Sequence, residues 1–188
     1  MSEHTKSKPA SAPRDAGETR SVTLRDGRAV NLRAVSPADE GELLQAFERL
    51  SEDARYMRFM HAVRNPDIER VRSALATFPS GGIGLVATVP ADDGIDIVGS
   101  AIAVFASDRA SCEFAITVAS AYGGAGLATA LMNELIDEAR RRKMREMEGF
   151  VLSQNQPMLR LARRLGFSVD FEPGDPSVRI CRLALVKP

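Results

Sequence analysis

Residues 111–132 read SCEFAITVASAYGGAGLATALM, and this stretch decides the architecture. "SCEFAITV" has the aromatic and β-branched content of a strand. Three glycines follow within four residues, at Gly123, Gly124 and Gly126. From Leu127 the apolar period becomes that of a helix running to Lys143. Leu127, Leu131, Leu135 and Ala139 form one stripe, with Met132 and Ile136 beside it. Acids (Glu134, Asp137, Glu138) precede bases (Arg140 to Lys143), the order that the helix dipole favours. That basic run reads either as a phosphate or nucleic-acid patch or as a solvated helix end.

A strand that enters glycines and leaves as a helix has the parts of an anion site. Glycine lets the backbone approach a ligand closely, and the first helical turn presents unpaired N–H groups at the positive end of the dipole. The same loop also reads as a tight turn with no ligand. Two other phosphate loops do not fit. A Walker A loop needs Lys-Ser/Thr after its last glycine, where Leu127-Ala128 stand. The dinucleotide fingerprint G-x-G-x-x-G is met at Gly124 and Gly126, but Thr129 takes the third glycine's place.

Upstream, "IGLVATV" after Gly81-Gly82, a loop at Pro90 to Gly94, "IDIVGSAIAVF", a turn at Asp108-Arg109 and "SCEFAITV" predict three consecutive antiparallel strands. Ahead of them, Asp26-Gly27 between "SVTL" and "AVNLRAV" signals a hairpin. Ser36, Pro37 and Asp39 then announce a helix as cap, first-turn proline and capping-box acid. Leu43, Leu44, Phe47 and Leu50 give it one apolar face. Ser51 caps a second helix, and Asn65-Pro66 starts a third. Downstream come a strand at "MEGFVL", a helix from Asn155-Gln156-Pro157 to Leu165 closed by Gly166, and strands near Val169 and from Val178 to Val186. The order predicts a mixed α+β fold, with a mostly antiparallel twisted sheet of about six or seven strands flanked by helices.

Residues 1–21 have no large apolar side chain after Met1 and read as a disordered tail; residues 22–188 read as one domain. The chain carries 25 Lys+Arg against 25 Asp+Glu, so a general nucleic-acid binder, which needs a basic surplus, is not expected. Two histidines and no C-x-x-C pair speak against a structural metal site. Cys112 and Cys181 lie in apolar segments and read as buried free thiols. The apolar runs are far short of the ~20 residues that span a bilayer. No secretory leader is apparent, so a soluble, cytoplasmic protein is expected.

Two segments resemble the GCN5-related N-acetyltransferases (GNAT). That family's pyrophosphate loop, Val-x-Pro-x-x-Gln/Arg-x-x-Gly-x-Gly/Ala, is met by Val118, Gly126 and Ala128, followed by "ALM" in the helix. Ser120 replaces the usual Pro, and Gly123 the usual Gln/Arg. "NQPMLRLARRLGF" is similar to the family's Asn-x-x-Met/Ala-x-x-Leu-x-x-x-Leu-Gly-Phe segment. The opening "LRDGRAVNLRAVSPADEGELLQAFERLSEDARYMRF" resembles the GNAT domain of bacterial protein-lysine acetyltransferases, as does "CEFAITV". The likeness covers about residues 22–187, nearly all of the expected domain.

The resemblance implies a GNAT fold, acetyl-CoA as cosubstrate with no metal, and an amine acceptor, either a protein lysine or a small molecule. It implies that Gly123, Gly124, Ala125, Gly126, Leu127, Ala128 and Thr129 hold the pyrophosphate and that Asn155 faces the pantetheine arm. Backbone N–H groups of Ile116, Thr117 and Val118 would hold the oxyanion. Glu113, five residues before Val118 and flanked by Cys112 and Phe114, is the candidate general base. Partial desolvation there would raise its pKa; the plainer reading is a solvent-facing strand glutamate. Many members carry a tyrosine where Ala162 stands. That departure keeps a second reading open, a non-catalytic acyl-CoA-binding module on the same fold.

Overall fold

The computed structural model describes residues 18–78, 80–108 and 110–186. Most of the expected tail, residues 1–17, and Arg109 of the expected turn lie outside the described residues. Eight strands alternate with five helices: β1 (Arg20–Thr23), β2 (Ala29–Ala34), α1 (Glu40–Glu48), α2 (Glu52–Phe59), α3 (Ile68–Thr77), β3 (Gly82–Ala91), β4 (Gly94–Phe105), β5 (Ser111–Val118), α4 (Leu127–Arg141), β6 (Glu146–Leu152), α5 (Gln156–Arg164), β7 (Ser168–Glu172) and β8 (Asp175–Ala184). One sheet holds all eight strands in the order β1-β2-β3-β4-β5-β6-β8-β7. Every pair is antiparallel except β5–β6. The strand count exceeds the expected six or seven, and β1 starts at Arg20, inside the segment expected to be tail.

Local chemistry explains the boundaries. Ser36 caps a single 3-10 turn over Pro37–Asp39, and α1 follows from Glu40. The Asp39 carboxylate takes the Ser36 N–H at 2.8 Å and a two-pronged ion pair from Arg33 at 2.6 and 2.8 Å. Those bonds, Arg33 foremost, hold its carboxyl below the usual range against the opposing effect of burial. The loop expected at Pro90–Gly94 is shorter, because Pro90 pairs with Ile95 and Ala91 with Gly94. Pairing of β2 with β3 reaches only Thr88, so Pro90 sits on a free edge where its missing donor is tolerated. α4 stops at Arg141 rather than Lys143: Lys143 turns left-handed (φ 61°), and the Met144 N–H closes onto the Ala139 carbonyl.

The two faces of the sheet are packed differently. On one, α4 buries Leu127, Leu131, Met132, Leu135, Ile136 and Ala139 in a closed core with Ala101, Ala103, Cys112 and Phe114. On the other, α1 and α2 bury no residue completely and α3 buries only Leu75. The register Ser100↔Thr117, Ile102↔Ala115 and Val104↔Glu113 puts these six side chains together on the α1–α3 side, by strand alternation. A cavity of about 780 Å³ opens between them and the three helices.

Candidate active site

β5 and β6 pair only over Ser111↔Glu146, Cys112↔Met147 and Glu113↔Glu148, then part. Where pairing ends, the Phe114 ring lies over Gly149; a Cβ at that glycine would come 2.4 Å from the ring. Phe114 is held from behind by an edge-on contact with Phe167 at 5.2 Å. A groove of about 500 Å³ opens along the parted strands and runs to the glycine loop. The Ala119 N–H donates to the Val98 carbonyl at 2.9 Å. Alternation therefore turns the Thr117 and Ala115 amides toward β4, and the amides of Val118 and Ile116, beyond the last β5–β6 rung, toward the groove.

At the groove's end, Gly124 and Gly126 adopt φ of 74° and 94°, conformations that favour glycine. The first intrahelical bond of α4 runs from the Ala130 N–H to the Gly126 carbonyl. The amides of Leu127, Ala128 and Thr129 thus precede it, at the positive end of the α4 dipole. The β1–β2 hairpin is fastened to this loop. Arg25 N–H donates to the Ala125 carbonyl at 3.0 Å, Arg28 Nη2 donates to the Ala121 carbonyl at 2.8 Å, and the Arg28 guanidinium lies 3.9 Å above the Tyr122 ring. The Arg25 side chain consequently crosses Gly126, where a Cβ would meet its Cγ and Nε at 3.5 Å.

Of the residues expected from the sequence, Glu113, Ile116, Thr117, Val118, Gly123, Gly124, Gly126, Ala128, Thr129 and Asn155 all line the groove. Ala125 and Leu127 do not: their side chains belong to the core, and only their backbone faces outward duties. Asn155 caps α5, its Oδ1 accepting the Met158 N–H at 3.2 Å. Glu113 is exposed rather than desolvated in the free protein, so any desolvation of its carboxylate must come from bound substrate. It lines both the groove and the cavity beneath α1–α3, together with Arg58, Met60, Ala115 and Thr117.

Sequence reading missed the arginines. Arg25, Arg58, Arg160 and Arg164 line the groove, and Arg58 and Arg70 line the cavity. Among the described residues none of these five has an ion-pair partner, whereas Arg20, Arg28, Arg33, Arg49 and Arg72 are all matched with acids. The basic run at the end of α4 is also matched internally, Arg140 with Asp137 and both Arg141 and Arg142 with Glu138. It is therefore a neutralised helix end. Only the i,i+4 spacing of Arg160 and Arg164 carried a sequence signal, a shared helix face. Cys112 is buried, and burial pushes its thiol up to about 11, which removes it as a nucleophile at neutral pH.

A cleft between splayed strands, a glycine loop feeding a helix start, and a carboxylate where two cavities meet are the parts a group transferase needs. A family model described as "Acetyltransferase (GNAT) domain" matches residues 29–168. The chain is 32% identical over 163 residues to acetyltransferase PA5475 of Pseudomonas aeruginosa, covering 87% of this chain and 88% of that one. Its fold is similar to the GNAT domain of S. lividans PAT, at a TM-score of 0.80 and 22% identity over 88% of this chain and 96% of that one. It is also similar to yncA of Salmonella typhimurium, solved with its cofactor acetyl-CoA, at a TM-score of 0.64 and 24% identity over 85% and 95%. The chain belongs to the GNAT acetyltransferase family and is an acetyltransferase.

Proposed function

We propose that the protein moves an acetyl group from acetyl-CoA to an amine by direct attack, with Glu113 as general base. The observation that carries this reading is the position of Glu113, at the junction of the β5–β6 groove with the cavity beneath α1–α3. The pyrophosphate is assigned to the amides of Gly124 to Thr129, with Arg25 beside them, and the pantetheine arm to the parted strands beside Asn155. Glu113 lies three residues from Ile116, roughly 10 Å along an extended strand, a gap that its side chain and one water bridge.

An alkyl ammonium of pKa ~10.4 is neutral in only about one molecule in ~2,500 at pH 7, so a proton must be removed before attack. Glu113 accepts it, directly or through one water. The amine nitrogen bonds to the carbonyl carbon, the carbonyl electrons move onto oxygen, and the N–H group of Ile116 stabilises that oxyanion. Collapse breaks the C–S bond, and the thiolate leaves and takes a proton from water. A thiol of pKa ~8.5 leaves without a dedicated acid. This matters because Ala162 is buried on α5, and Tyr122, which lines the groove, sits at its loop end. The test is thiol release from acetyl-CoA with a panel of amines, beside calorimetric titration of acetyl-CoA. Tight binding with amine-dependent release is expected; binding with no release from any amine would overturn the reading.

A further inference from the structure

The cavity beneath α1–α3 has the size of a small-molecule site and an internal chemistry of its own. Its walls are apolar: Leu43, Phe47, Leu50, Phe59, Val71 and Phe78 face Ile102 and Ala115 across it. Phe78 packs on Gly82 and Gly84 of β3, and the remaining apolar side chains leave a space between helices and sheet. On its wall stand two guanidinium groups on neighbouring helices, the half-buried Arg58 and the exposed Arg70. Among the described residues neither has an ion pair, and the one aromatic face near Arg58 is its own neighbour Phe59, at 5.0 Å.

The other charged groups in the cavity make no ion pair with them. Asp67 is committed to capping α3, its Oδ1 accepting the Arg70 N–H at 3.0 Å. His61 is turned to the Phe59 carbonyl at 2.7 Å. Glu113 is the remaining acid, and it is occupied by the proton of the attacking amine on the reading above. Burial disfavours the Arg58 charge; Glu113 offsets this in part and Arg70 works against it. The C-terminal position of Arg58 in α2 also offsets part of the cost. A half-buried cation with no ion pair, backed by a second guanidinium at the same apolar wall, suits an anionic ligand group.

We propose that the acceptor is a small apolar amine bearing a carboxylate close to its amino group, an amino acid with an apolar side chain, whose carboxylate is held by Arg58 and Arg70. This rests on the acetyltransfer reading above. Arg58 and Glu113 stand together at the junction, so amine and carboxylate must be near neighbours in one molecule. The apolar body fills the cavity between α1 and β4. Two arginines repel any acceptor with further positive charge, which disfavours polyamines and basic peptides.

The test uses L-leucine, L-methionine and L-phenylalanine, each beside its amide, and a lysine peptide and spermidine as cationic arms. Both thiol release and calorimetric binding in the presence of CoA are read. At least one amino acid is expected to exceed its amide by about tenfold or more in kcat/KM and in affinity. Arg58→Gln and Arg70→Gln are expected to remove that preference while changing the KM for acetyl-CoA less than about threefold. Amide and acid performing alike, or a variant that weakens both equally, would overturn the proposal. So would turnover confined to the lysine peptide or spermidine, an outcome that leaves acetyltransfer itself intact. Absence of thiol release with every arm would overturn the acetyltransfer reading, and binding then still decides the carboxylate preference.

Discussion

Arg25→Ala removes the cation that the β1–β2 hairpin holds across Gly126, and the structure sets what that should cost. The guanidinium stands at the positive end of the α4 dipole with no acid partner among the described residues. Without an anion this placement is mildly unfavourable, so the variant should be no less stable than the parent in a thermal melt. With a pyrophosphate present, Arg25 gains a charge-assisted hydrogen bond worth about 1.5–3 kcal/mol. Because the side chain is exposed, screening reduces this to about 1–2 kcal/mol, a rise of roughly 5- to 30-fold in Kd. Calorimetric titration of CoA and of dephospho-CoA measures it, at low salt and again at about 0.5 M, where screening should shrink the difference. The same ratio is expected for both ligands, since they share the pyrophosphate. An unchanged Kd would refute the reasoning, as would a loss seen with CoA alone, which would assign Arg25 to the 3′-phosphate.

Other expectations follow from the same geometry. Gly149→Ala places a methyl 2.4–2.8 Å from three atoms of the Phe114 ring, so the ring must shift toward the groove. A loss of about 1–3 kcal/mol in denaturant unfolding, with a raised KM for acetyl-CoA, is expected; a wild-type value for both would show that the ring does not set the parting of β5 and β6. The Asp39 carboxyl is held below its ordinary value, chiefly by Arg33, so it contributes stability above about pH 4 that is lost as pH falls through the lower folded value. Asp39→Asn should flatten this acid limb in melts taken between about pH 2 and 5, and should cost about 2–4 kcal/mol at pH 7 by leaving Arg33 unmatched. Cys112 and Cys181, both buried and both pushed up to about 11 by burial, should resist alkylation in the folded protein at pH 7.5. Rapid labelling of either, read by mass spectrometry, would contradict that burial.

The elements of this fold were legible because each begins or ends in chemistry that sequence spells out. Asp26-Gly27, Ser36-Pro37, Ser51 and Asn155 mark turns and caps, and the stripe from Leu127 to Ala139 marks the most buried helix. The glycine loop was legible for the same reason, since Gly124 and Gly126 take backbone angles that other residues avoid. The arginines were not. Arg25 reaches the loop only because the hairpin is fastened to Ala125 and Ala121, and no local period encodes a contact across some 100 positions. Arg58 and Arg70 line a cavity formed where α1–α3 meet the sheet, a tertiary fact. The exposure of Glu113 was legible as the plainer of two readings: Cys112 and Phe114 on either side are buried, and alternation sends the residue between them to the opposite face. A net charge of zero concealed a groove lined by four arginines and one glutamate.

The account turns on Glu113, and one variant tests it most directly. Glu113→Gln keeps the shape of the side chain at the junction of groove and cavity but cannot accept the amine's proton. Single-turnover thiol release should fall by at least ~10²-fold at pH 7 while calorimetric affinity for acetyl-CoA stays unchanged. The rate should recover in part as pH rises toward the amine's own pKa, where the acceptor no longer needs a base. Undiminished release at pH 7 would contradict the central claim.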